Sequence, residues 1–93
     1  LRRERESGGF AIAVGDEAIT PGVDEVARSE GLLLCAEGGA TYAAYKQCLK
    51  DDRVAKSDRV MLFNCATGLK YPLPPVTRTI DRHKPIDFAM FTR

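Results

Sequence analysis

Three cysteines, Cys35, Cys48 and Cys65, and a single histidine, His83, are the side chains with the most versatile chemistry in this sequence. Their spacings are long and unequal, and their number is odd. That pattern fits neither a zinc motif nor a disulfide framework, so no metal ligation is expected. Reduced thiols in a cytoplasmic protein are the simplest account, two or three of them serving as small buried apolar groups. Cys65 follows the apolar run Val60-Met61-Leu62-Phe63 through Asn64, and Thr67 lies two residues further on. In an extended segment residues i and i+2 face the same way, so this thiol and hydroxyl share a side. Read from the residues alone, Cys65 is a buried cysteine at a strand end. Thr67 forms the turn before Gly68, its hydroxyl bonding local backbone.

The remaining candidates are weaker. His83 is flanked by Asp81, Arg82 and Lys84 without a second base or nucleophile at useful spacing, and reads as a surface residue. Lys70 after Gly68-Leu69 is a solvated charge before it is a phosphate ligand. Glu37-Gly38-Gly39 opens a helix whose exposed amides can face a cofactor or substrate anion. Ser7-Gly8-Gly9 signals close backbone packing before a strand rather than an anion loop.

The elements that must position these residues follow from apolar periodicity. Phe10 to Val14, bounded by Gly9 and Gly15, predicts a strand. Thr20 ahead of Pro21 predicts a helix start, and Val23, Val26 and Ala27 recur at helical spacing until Gly31 stops a helix of about ten residues. Leu32 to Cys35 reads as a buried strand or a short transit into a second helix, from about Gly38 to Leu49. That helix presents Ala40, Ala43 and Ala44 for close approach to a sheet. Val60 to Phe63 is the strongest strand candidate. From Tyr71 onward Pro72, Pro74, Pro75 and Pro85 predict an extended segment. Short strands alternating with helices predict an α/β fold with a mostly parallel sheet.

Composition narrows the partners. The 14 basic and 13 acidic residues are interspersed, as in Arg2-Arg3-Glu4-Arg5-Glu6. Nucleic acid and an anionic membrane are therefore not expected as partners. No apolar stretch approaches the roughly 20 residues of a membrane span. A chain of 93 residues buries only about 60–65% of its unfolded surface, so its core is marginal unless another segment covers it. With no initiator Met or leader-like start, the chain is expected to be an interior or trailing part of a longer protein.

Three stretches resemble the carboxy-terminal region of the threonine synthase family. They are Arg5-Glu6-Ser7-Gly8-Gly9 with Ala11 to Asp16, then Glu30-Gly31-Leu32 through Glu37-Gly38-Gly39-Ala40-Thr41 into Ala43-Ala44, and Phe63-Asn64-Cys65-Ala66-Thr67-Gly68-Leu69-Lys70-Tyr71-Pro72. The resemblance implies a fold-type II pyridoxal-phosphate enzyme, with this chain ending its larger domain. Residues 1–75 would be a partial α/β domain of short parallel strands alternating with helices, and 76–93 an extended carboxy-terminal tail. The implied reaction converts O-phospho-L-homoserine and water to L-threonine and phosphate.

The implied cofactor contacts are Cys65, facing the pyridine nitrogen, with Thr67 reaching the same region. Cys35 stands where related enzymes often carry Glu near the ring. The sequence departs from the family with Ala36 in place of a common Pro and Gly39 where Ala is frequent. The family's Schiff-base lysine and its glycine-rich phosphate loop lie upstream of the matching region, and Lys46, Lys50, Lys56 and Lys70 do not take the lysine's role. The chain by itself is thus expected to be inactive. Its implied partners are the missing amino-terminal part of the same enzyme, the phosphohomoserine substrate and a second subunit of a homodimer. A threonine or serine dehydratase of the same fold, or a non-catalytic α/β interaction fragment, is the alternative.

Overall fold

The first helix, α1 (Arg2–Ser7), forms where strong helix formers alternate in charge, and Arg2 Nε pairs with Glu6 Oε1 at 2.9 Å one turn away. In the computed structural model, which describes residues 2–91, two longer helices follow. Helix α2 (Asp16–Glu30) starts four residues before Thr20, because Gly15 caps it in extended conformation and Asp16 and Glu17 complement the positive end of its dipole. Pro21 lies inside it, where the missing N–H forfeits the backbone bond to Glu17 and the ring crowds that carbonyl. Gly31 ends the helix at φ 69°, its N–H reaching the Ala27 carbonyl at 3.0 Å.

Helix α3 (Ala36–Lys50) begins at Cys35, whose sulfur accepts the Gly38 N–H at 3.3 Å. It packs against α2. Gly22 and Gly39, both buried, let the two backbones meet without side chains between them. On the rim of this contact Tyr42 donates its hydroxyl to Glu25 at 2.8 Å, and Lys46 pairs with the other oxygen of that carboxylate at 2.7 Å. Among the described residues the buried apolar side chains are Cys35 and Cys48, both belonging to or capping α3.

The α/β expectation is overturned: the described residues form helices and no sheet. The segments 10–14 and 60–63 carry no strand, and the one residue of the 32–35 segment with a β-type partner is Leu34, in an isolated antiparallel bridge to Thr67. The physical reason is pairing. A strand is stabilised by a neighbour's backbone, and among the described residues the runs at 10–14 and 60–63 have none. Met61 is 94% exposed and Phe63 79%, so the segment predicted as the strongest strand lies open. After the bridge come a 3-10 turn, Gly68–Lys70, a stretch without regular structure, and a second 3-10 turn, Phe88–Phe91. No helix among the described residues is long and apolar enough to cross a membrane.

Candidate functional site

Two chain segments distant in sequence meet at the start of α3. The Leu34–Thr67 bridge and the Gly68 N–H bond to the Leu33 carbonyl, 3.0 Å, clamp the segment after Phe63 against the α2–α3 connection. Gly68 is required for the clamp, since a Cβ there would stand 2.5 Å from the Leu34 carbonyl oxygen.

The clamp brings Cys65 to Cys35. Their sulfurs are 4.0 Å apart, and the Cys35 thiol also donates to Asn64 Oδ1 at 3.2 Å. Asn64 is itself fixed by its Nδ2 bond to the Ala66 carbonyl at 2.8 Å. Cys35 is fully buried, whereas Cys65 is exposed, so one thiol anchors and the other faces solvent. The hydrogen bond shared with Cys35, reinforced by desolvation, pushes the Cys65 thiol above its ordinary pKa and keeps it protonated.

Glu37, in the first turn of α3, faces the same group. Tyr71 donates its hydroxyl to both oxygens of this carboxylate, at 2.7 and 2.6 Å. That bond lowers the pKa of Glu37 and pushes Tyr71 up to about 12. The two sulfurs and a Glu37 carboxylate oxygen lie within 4.8 Å of one another. Beside them is a cleft of about 470 Å³, lined by Val26, Leu32, Leu34, Tyr42, Phe63, Cys65 and Thr67 among others.

The three cofactor contacts expected from the sequence, Cys35, Cys65 and Thr67, therefore converge on one place. Thr67 borders the cleft while its hydroxyl accepts the Leu69 N–H at 3.3 Å, holding the 3-10 turn. Glu37 as a side chain, Asn64 and Tyr71 were not singled out by sequence reasoning. Neither Glu37 nor Tyr71 carried a local signal, since the two meet only through the fold. His83 is exposed, with its backbone N–H on Asp81 and its ring beside Arg82. Lys70 is exposed in its turn, and Lys46 is held by Glu25.

No family model matches the chain, and no solved structure matches it. Among curated proteins it is similar to the threonine synthase of Methanocaldococcus jannaschii, with 32% identity over 66 residues. The match takes in 71% of this chain and 16% of that protein, so the chain spans about a sixth of its relative's length.

Proposed function

We propose that the chain is a carboxy-terminal part of a threonine synthase and contributes one wall of its pyridoxal-phosphate site. The observation that carries this reading is the position of Cys65 at the edge of the cleft, in the segment Phe63 to Pro72 where the family resemblance is densest. The similarity to the archaeal threonine synthase supports it.

The residues present fit part of the cofactor. Cys65 is exposed, protonated and held by Cys35 on one side, so its thiol can offer a neutral contact to a pyridine nitrogen without placing charge there. Bound pyridoxal phosphate supplies the electron sink for chemistry at the carbons of the amino-acid substrate. This chain's residues act by position: Cys35 and Asn64 orient the Cys65 segment, Gly68 lets it close on the α2–α3 connection, and Thr67 holds the turn. The covalent lysine and the phosphate cradle come from the rest of the enzyme. That remainder also covers the open face at Val60 to Phe63. The reaction is conversion of O-phospho-L-homoserine and water to L-threonine and phosphate.

The test uses the full-length gene product with added pyridoxal phosphate. Release of phosphate and formation of threonine from O-phospho-L-homoserine are expected. Formation of a keto acid and ammonia from threonine or serine, without phosphate release from phosphohomoserine, would instead identify a dehydratase. Absence of both activities would reject a catalytic role.

A further inference from the structure

We propose that Cys35, Glu37 and Cys65 form a binding site for one thiophilic divalent cation, with Zn2+ as the reference ion. The geometry is close to what such an ion requires. Zinc–sulfur bonds of ~2.3 Å in a tetrahedral arrangement put two sulfurs roughly 3.8 Å apart. The Cys35 and Cys65 sulfurs stand at 4.0 Å, so bridging them takes a shift of a few tenths of an ångström. The Glu37 carboxylate completes a group whose ligand atoms lie within 4.8 Å of one another.

The surroundings are those that orient ligands around a metal. The Gly38 amide donates to Cys35 Sγ at 3.3 Å from the first turn of α3, an outer contact that fixes where this sulfur points. Tyr71 holds the Glu37 carboxylate through both of its oxygens, the kind of outer contact that fixes a ligand's direction. Cys35 is buried, while Cys65 and Glu37 are exposed, which gives the ion an entry path and a fixed floor. Two thiolates and one carboxylate select Zn2+ over Mg2+ or Ca2+, and three protein ligands leave a fourth position for water. Loading one ion converts two thiols to thiolates and releases two protons.

This site does not depend on the cofactor reading. Ion binding needs only this chain, whereas the cofactor needs the rest of the enzyme. The two uses compete for one sulfur, Cys65.

The experiment titrates the reduced full-length gene product, stripped of metal and of pyridoxal phosphate, with Co2+ and then with Zn2+. A thiolate-to-cobalt charge-transfer band saturating at one equivalent is expected, with bleaching on addition of Zn2+. Calorimetry in buffers of different ionisation enthalpy should report release of two protons per Zn2+. Cys35→Ser and Cys65→Ser should abolish the band, and Cys48→Ala should retain it. Glu37→Gln keeps an acceptor for Tyr71 and so should fold like the parent chain by circular dichroism, yet bind more weakly. Tyr71→Phe should lower affinity by roughly 10-fold, as losses of outer-sphere partners do. A featureless spectrum for the parent chain would overturn the proposal. So would a band that survives in either Cys35→Ser or Cys65→Ser, or parental affinity in Glu37→Gln.

Discussion

Gly22 of α2 faces Gly39 of α3 so closely that a Cβ on Gly22 would stand 3.0 Å from the Gly39 carbonyl oxygen. A Cβ on Gly39 is worse placed, 2.5 Å from Val23 Cγ2 and 2.9 Å from the Ile19 carbonyl oxygen. Gly39→Ala gains up to ~1 kcal/mol in helix propensity, but overpacking a fitted contact costs ~1–3 kcal/mol. The contact wins because one of the obstructing atoms is backbone and cannot rotate away. A net loss of roughly 1–2 kcal/mol is expected for Gly39→Ala and a smaller one for Gly22→Ala. Urea unfolding followed by the helical circular dichroism signal checks this, and a stabilised Gly39→Ala chain would contradict the close crossing.

The contact has an electrostatic rim with a defined pH window. Glu25 is lowered in pKa by its hydrogen bonds from Lys46 and then Tyr42, and Lys46 is raised by Glu25. The lowered carboxyl contributes above its unfolded pKa and loses its contribution as pH falls through the folded value. The raised amine contributes below its unfolded pKa and loses its contribution as pH rises through the folded value. The stability difference between the parent chain and Glu25→Gln should therefore be flat around neutrality and shrink at both extremes. Both partners are exposed, so it should also shrink in high salt. A difference unchanged by pH or salt would mean that the pair adds nothing.

Much of this helical pair was legible in the sequence. Gly31 marks the end of α2, and the alanine-rich run marks α3, because stop signals and helical periods are local. The start of α2 was not, since Thr20-Pro21 looks like an entry whether or not a turn precedes it. Nor was α1, which has charge but no apolar period. The strand expectations at 10–14 and 60–63 failed for a different reason. Apolar runs read alike whether paired in a sheet or left open, and pairing depends on backbone elsewhere. In the site, Cys35, Cys65 and Thr67 came from the resemblance. The grip of Tyr71 on Glu37, 34 residues apart, came only from the fold.

The open run at Val60 to Phe63 should govern how the chain behaves in isolation. Met61 and Phe63 present large apolar surfaces to water, next to Leu62 at 40% exposure. Contiguous exposure of this kind promotes association. Sedimentation should show concentration-dependent self-association of the chain alone, reduced in the Met61→Lys, Phe63→Lys double variant. A parent chain that stays monomeric over the accessible concentration range would contradict this prediction.

Cys65 and Thr67 border the same cleft, and their bonding separates their roles. The Thr67 hydroxyl is committed to the Leu69 amide, as a cap of the 3-10 turn, while the Cys65 thiol is exposed and held from one side by Cys35. Thr67→Val keeps the shape but removes the cap, at a cost of about 1 kcal/mol by analogy with helix N-caps. Thr67→Ser restores the acceptor and should restore stability. Under the proposed function, neither change should alter turnover of the full-length enzyme much, since the cofactor contact belongs to Cys65. Cys65→Ser keeps a small neutral donor and should retain most activity. Cys65→Asp puts a negative charge where a neutral group stands and should slow threonine formation strongly. The measurement is phosphate release from O-phospho-L-homoserine by the four variants, with thermal melting to separate folding from function. Equal turnover for Cys65→Ser and Cys65→Asp, together with a loss confined to Thr67→Val, would transfer the cofactor contact from the thiol to the hydroxyl.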